Sequence, residues 1–516
     1  MTDPARHSDR NRAKDSVKRC RVDVLAIFSV SLVLYLLLGQ ETLYRNDGHN
    51  ILERLNAGVV FSDRHPLALP IMRLACWVLD LIHTMPLHRA LTIVSAIGTA
   101  TGVALTYLAA LTLGIDRRRS ILTAALVGST FPVMLFATLV EYHGLFFAFS
   151  QLAFLCCCRW ILKPGWKWTV LVALSAQLTT FVHSSGAFLS LLLGCWFVAS
   201  THKNLSWKRS CGHAFAVIAI HIAILLLSVP ILGAFGLWGG TLLTTDYRGF
   251  GMVIGVLENL DTLPQILWSE FVLPFSPSIL LFALLASQKK HRSLVLLMLV
   301  AAAPYIAIAV LMLKDTEHGA YLIPLSAPIA IALVRSYRPV LLYGVVVLCL
   351  GVTTAFILDR DVLGPEYRRF AKGVLAASDH AKAGDKALPC VLTVEIGRLD
   401  MEQTLDERAA ILVANPNISF ERLTDVALRA DDWIALRPGD ARVFLRQRHP
   451  GQELMLSKQM EDYMLTARKP YDSSLIYPNG KATIERLRRD FEFEPRKVPD
   501  SPPYSFDGYI LRDRPK

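Results

Sequence analysis

Seven side chains in the segments between apolar runs are of the types that proton transfer and ion holding require: Asp47, His49, His65, Glu141, His143, Glu317 and His318. The stretch Tyr44-Arg45-Asn46-Asp47-Gly48-His49-Asn50, with His65-Pro66 after it, makes Asp47 the first candidate for a general base. A carboxylate can take a proton from a hydroxyl, and partial desolvation beside a membrane raises its pKa toward the working range. The plain alternative is a solvated Asp-Gly turn. In Glu141-Tyr142-His143-Gly144, a carboxylate and an imidazole share a very short connection, where with Asp47 they could hold a divalent metal or a phosphate. Nothing in the spacing of the three demands a metal, and helix-end groups hydrated at the headgroups are the alternative. Lys314 and His318 in the late outer loop and Arg248 in the long loop before it are cations suited to a phosphate, arginine by its bidentate fork. Lys314 could instead snorkel to lipid headgroups. His183-Ser184-Ser185-Gly186 reads as a hydrogen-bonded turn rather than a ligand set.

These groups need elements to hold them, and the composition points to a membrane. The 516 residues are 53% hydrophobic with a mean hydropathy of +0.40, more than a soluble chain usually buries. The net charge of +11 would suggest nucleic acid in a soluble protein, but here the excess lies in short loops, where it orients helices, so no nucleic-acid partner is expected.

Eleven apolar runs are read as spans: 23–40, 90–113, 121–140, 145–162, 168–183, 186–201, 213–233, 271–287, 293–313, 320–334 and 339–358. Residues 1–22 form a basic tail expected to be disordered and cytoplasmic. Segment 66–84 is apolar but carries Arg73, Asp80 and His83. A charge at the bilayer centre costs at least about 2.5 kcal/mol, and a crossing here would move Arg117-Arg118-Arg119 and Lys289-Lys290 to the outer side. It is therefore expected to lie along the outer interface as an amphipathic helix. The inward loops are then almost purely basic, and the acids and histidines gather outside, the first outer loop with Arg45, Arg54 and Arg64 being the exception.

Residues 359–516 are rich in charge and hold no run long enough to cross, so they are expected to form an extracytoplasmic soluble domain. Short β-leaning runs at Val391–Ile396, Trp433–Leu436 and Tyr509–Leu511, with a helical stretch at Ala482–Phe491, indicate a small α/β unit. Cys390 is the one cysteine in this part, so the domain must stand on its core without an internal disulfide. Cys156 to Cys158 are consecutive and point in different directions on a helix, which argues against a metal cluster.

Over residues 23–358 the arrangement resembles the GT-C glycosyltransferases, membrane enzymes such as the aminoarabinose transferases and protein O-mannosyltransferases. The resemblance consists of Asp47 in the first outer loop, His65-Pro66-Leu67 at the entry to an interfacial helix, Glu141 opening the fourth span, and Tyr321-Leu322-Ile323-Pro324 late in the chain. The chain departs from that pattern in lacking a second acid beside Asp47, in having Glu rather than Asp at 141, and in placing His318-Gly319-Ala320 where an arginine usually precedes the late tyrosine. The resemblance implies a multi-pass inner-membrane enzyme with a polyprenyl-phosphate-linked sugar as donor and a glycan, lipid or protein acceptor at the outer face. It also implies inverting transfer, with Asp47 as base, Glu141 beside it, and Arg45, Arg64, His65, Lys314 and His318 as the cations that stabilise the leaving phosphate. Transport of a lipid-linked sugar or small solute is the competing class, kept alive by His221 within a span and by Pro132 and Pro304 interrupting others. A scaffold without catalysis is the third.

Overall fold

A computed structural model describes residues 4–40, 43, 45–61, 65–202, 204–234, 263–312, 319–360, 363–382, 389–393, 411, 418–422, 440–466, 480–501 and 504–515. The chain divides into two compact units, Met1–Gln40 with Arg54–Asp359, and Glu41–Glu53 with Arg360–Lys516.

Among the described residues, the regular elements of the first unit are all helices. It contains α1 (Pro4–Leu37), α3 (Ala68–Ile82), α4 (Leu87–Thr112), α5 (Arg117–Gly128), α6 (Phe131–Ala137), α7 (His143–Leu162), α8 (Trp166–Val182), α9 (Leu189–Thr201) and α10 (Trp207–Ala234), with α2 (Arg45–Asn56) shared between the units. Helices over Arg292–Met312, Ser326–Ser336 and Pro339–Arg360 follow. Among the described residues, seven helices are long and apolar enough to cross a membrane, or up to nine if two bent pairs each count as one span. All eleven expected runs are helical. The run at 121–140 is a pair, α5 and α6, bent by 69° just before Pro132, and the run at 271–287 belongs to a second pair bent by 102°. Ala320–Ser336 and α8 are helical but shorter. The molecule is thus a multi-pass helical membrane protein with apolar faces turned outward, as at Leu25, Val30, Val33 and Leu37 on α1.

Three local outcomes bear on the threading. The first helix runs back to Pro4, through the stretch expected to be disordered. Its Ala, Lys and Arg residues are good helix formers, and adding turns to an existing helix avoids the nucleation cost. Segment 66–84 forms α3, whose 15 residues reach only ~22 Å, short of a hydrocarbon core of ~30 Å. It buries Ala68, Leu69 and Met72 and exposes Leu74, Trp77 and Leu81. Arg73 is satisfied by donating to the carbonyls of Gly58 (3.1 Å) and Leu55 (3.4 Å), the latter near the end of α2, where a cation suits the helix dipole. Finally, α1 separates two kinds of chemistry. At Asp23 its carboxylate meets the Arg117 guanidinium, with both contacts at 2.6 Å. Just beyond the helix end, Gln40 binds the backbone and hydroxyl of Thr138. The basic turn, at Asp23 in the middle of α1, and the bend leading to Glu141, beside Gln40, are therefore about 25 Å apart along the helix direction.

The crossing of α4 and α7 sets the position of that bend. Gly98 and Gly144 let the two backbones approach so closely that a Cβ on Gly144 would stand 2.5 Å from the Ser95 carbonyl oxygen. Small residues at such contacts are how membrane helices pack without a hydrophobic driving force.

The second unit is α/β in its C-terminal part, as expected from its short strands. Five strands, β1 (Cys390–Thr393), β2 (Ser419–Arg422), β3 (Leu454–Ser457), β4 (Phe491–Ser501) and β5 (Tyr504–Asp513), form one sheet in the order β2-β1-β3-β5-β4. β2, β1 and β3 are parallel, and β5 pairs antiparallel with both β3 and β4. Leu392, Leu454, Leu456 and Leu511 pack in the core with Leu445 and Leu487 from the helices Asp440–Arg448 and Gly480–Asp490. The expected strand at Trp433–Leu436 lies outside the described residues.

Candidate functional site

Four segments far apart in sequence meet where helices of the first unit end. The first is His65-Pro66-Leu67, held by a hydrogen bond from the Leu67 amide to the Phe181 carbonyl (2.9 Å) at the end of α8. The second is the bend Thr138 to Tyr142, tied by Gln40 and by the Ser95 hydroxyl, which donates to the Glu141 carbonyl (3.2 Å). The third is His183-Ser184-Ser185 between α8 and the following 3-10 turn. The fourth is the 3-10 turn Ala320–Leu325, which carries Tyr321 and packs against α6 and α7.

The rings interlock. His65 stacks on His183 with centroids 4.7 Å apart, His183 lies 4.8 Å from His143, and Tyr321 lies 6.0 Å from His183 and 6.3 Å from His143. Tyr142 covers His65 at 4.6 Å. Glu141, His143 and His183 are each at most 3% exposed.

Hydrogen bonds set the proton positions. Oε2 of Glu141 accepts from the Tyr142 amide (2.9 Å) and meets Nδ1 of His143 at 3.2 Å, so with the carboxylate ionised that nitrogen carries the hydrogen. His65 and His183 are set the other way. Nδ1 of His65 accepts the Ser184 amide, and Nδ1 of His183 accepts the Ser185 amide, each at 3.3 Å. A backbone N–H can only donate, so both rings are neutral and carry hydrogen on Nε2. Two successive amides of one turn thus select the same tautomer in two stacked histidines. The cluster offers the Nε2–H of His183 and one imidazole oriented by a carboxylate, groups of the kind that anion stabilisation and proton transfer use.

Of the candidates from sequence, Glu141, His143 and His65 come together. Arg45 and Asp47 lie in the first turn of α2, their side chains outside the described residues, and Arg64, Arg248, Lys314 and His318 lie outside them altogether. Among the described residues no group of three His, Cys, Asp or Glu side chains is arranged to hold a metal ion. His183 does close its turn, with Nδ1 2.7 Å from the Ser185 hydroxyl, but it also stands between the other two histidines. Glu270, not among the sequence candidates, is buried in a π-helical turn, Leu267–Val272, and its Oε2 accepts from the Gly319 amide (3.0 Å). Gly319 has φ +80°, a left-handed conformation, and opens the turn bearing Tyr321, so Glu270 fixes the start of that element. A glycine directly before Ala320-Tyr321 was the available signal for a special backbone there.

His221, the candidate for intramembrane transport chemistry, is a satisfied core residue. Its ring nitrogens bond Thr180 (3.1 Å) and Ser190 (2.9 Å).

The fold and site describe a polytopic helical membrane protein with an α/β C-terminal part and a buried histidine cluster at helix ends. No protein-family model matches the sequence, and no curated protein does. Among solved structures the chain is similar to an ArnT from Cupriavidus metallidurans bound to undecaprenyl phosphate, with 12% identity and a TM-score of 0.47 over 88% of this chain and 99% of that one. It is also similar to an oligosaccharyltransferase from Archaeoglobus fulgidus in complex with zinc and sulfate, with 12% identity and a TM-score of 0.46 over 94% of this chain and 73% of that one. A third is the oligosaccharyltransferase AglB from the same organism in complex with an inhibitory peptide and a dolichol-phosphate, at 11% identity and a TM-score of 0.45 over 94% and 74%. At these scores the likeness carries no residue, substrate or reaction across.

Proposed function

We propose that this protein is a membrane glycosyltransferase of the GT-C kind, transferring a sugar from a polyprenyl-phosphate carrier to an acceptor at the extracytoplasmic face. The observation that carries the reading is the convergence of His65-Pro66, Glu141-Tyr142-His143 and Tyr321, the motifs of the sequence resemblance, in one buried cluster. A hydroxyl acceptor loses its proton to Asp47, its oxygen attacks the sugar's anomeric carbon, and the carrier phosphate leaves from the opposite face. A phosphate departs without a strong acid, so hydrogen-bond donors suffice, and the Nε2–H of His183 is suited to that task. His143, oriented by Glu141, is the second candidate for the base, favoured by the carboxylate–imidazole contact.

The test is transfer by the purified protein in lipid discs supplied with polyprenyl-phosphate sugars. Asp47→Asn is expected to lose at least about 100-fold in rate with folding intact, the range for a general base. Full activity of Asp47→Asn with loss in His143→Gln would hand the role to His143. Absence of transfer with every donor, from folded wild-type protein, would reject the glycosyltransferase reading.

A further inference from the structure

The contact of Asp23 with Arg117 closes one end of an apolar groove of about 440 Å³ on the first unit, lined by α1, α4, α5 and the helix Pro339–Arg360. Its walls include Ile27, Val30, Leu34, Ala125 and Leu350, and Tyr35 closes the far end, its hydroxyl donating to the Gly128 carbonyl (2.9 Å). From Asp23 to Tyr35 is twelve residues of α1, or ~18 Å, close to one leaflet's half of a ~30 Å hydrocarbon core. The groove thus has the length of a single acyl chain.

Its polar end carries the charge that such a chain's headgroup would meet. Arg117 is 62% exposed and gives Nε and one Nη to Asp23, which leaves the donors of its Nη1 outside that pair. Exposed Arg118 follows it, and Arg335 reaches the same turn by donating to the Leu113 carbonyl (2.9 Å). Asp23 is spent on Arg117 and on the Tyr107 hydroxyl (2.7 Å), so the local balance is positive. We infer that this groove is a binding site for an anionic phospholipid, one acyl chain lying between α1 and α5 and the phosphate against Arg117 and Arg118. Its polar end, at Asp23, is about 25 Å along the helix direction from Gln40, no residue of the histidine cluster lines it, and it does not depend on the proposed reaction. A longer polyprenyl chain would overrun a groove of one leaflet's length.

The test uses the purified full chain, delipidated in detergent, with dioleoyl phosphatidylglycerol and dioleoyl phosphatidylcholine as probes, read by native mass spectrometry and thermal melting. Wild type is expected to prefer the phosphatidylglycerol by about tenfold, two arginines near a phosphate each adding on the order of a several-fold gain. Arg118→Glu should abolish the preference. Ala125→Phe should abolish retention of both lipids, and Ala26→Phe, at an exposed position on the groove wall, does the same without touching the helix core. Equal retention of the two lipids by wild type, or unchanged retention in the folded Ala26→Phe variant, would overturn the inference. So would one-for-one displacement of phosphatidylglycerol by a polyprenyl phosphate, which would give the groove to the donor's carrier.

Discussion

At the scale of residues, the cluster is organised by which nitrogen holds a proton. Ser184 and Ser185 set His65 and His183 by backbone amides, while Glu141 sets His143 oppositely. Rings of the same type, in contact, thus have different jobs. Replacing His183 by phenylalanine keeps the ring volume and the stack on His65 but removes the Nε2 donor. Transfer by His183→Phe is expected to fall about 100-fold or more, the loss typical of one oxyanion donor. Leaving the buried Ser185 amide and hydroxyl without that partner should cost stability about 1–3 kcal/mol. Activity and melting temperature measured together decide the matter, since a packing role alone would leave transfer near wild type.

At the scale of elements, the site depends on how closely two helices can approach. The α4–α7 crossing brings Ser95 to Glu141, and it exists because Gly98 and Gly144 have no side chains. Gly144→Ala would press a methyl group on the Ser95 carbonyl, and backbone cannot yield as a flexible side-chain end does. The expected cost is about 1–3 kcal/mol, with a larger loss of transfer because Glu141 and His143 move with the start of α7. Gly212→Ala in α10 is the control, since nothing lies within 4 Å of its added methyl. Helix propensity predicts that it is neutral or slightly stabilising. Equal behaviour of the two variants in thermal melts would remove the crossing from the account of the site.

At the scale of the whole molecule, the two units rest on different physics. The membrane unit turns apolar side chains outward and holds polar groups such as His221 and Gln151 inside, hydrogen-bonded between helices. The C-terminal part buries an apolar sheet core and surrounds it with ion pairs. There Nε2 of His449 stands 2.7 Å from Oε2 of Glu421, which Arg448 also holds at 3.0 Å. The Cys390 sulfur and the Glu421 carboxylate favour the imidazolium and push His449 up to about 10. The native state therefore holds this proton more tightly than the unfolded chain, whose histidine titrates near ~6.5. The stabilisation is complete below about pH 6.5 and is lost as pH rises toward 10. Hydrogen exchange of β1 and β2 in the full chain should accelerate across that window beyond the intrinsic base-catalysed increase. The His449→Gln variant should lack the extra acceleration, and an identical profile in both proteins would refute the assignment.

The sequence by itself determined the helical runs and the strand-bearing character of the C-terminal part, and it singled out Glu141, His143 and His65, which the fold brings into one cluster. Hydrophobic length and loop charge are local properties, and the solvent, lipid or water, acts on them residue by residue. The mutual placement of those residues was decided only by the tertiary structure. His183 looked like a turn because its bond to Ser185 is local, whereas its stack on His65 joins segments more than a hundred residues apart. Glu270 likewise acts on Gly319 across a contact that no periodicity encodes. The α4–α7 crossing places Glu141 in the same way, because close approach depends on what two helices lack at the same point, a relation between positions that neither segment contains alone.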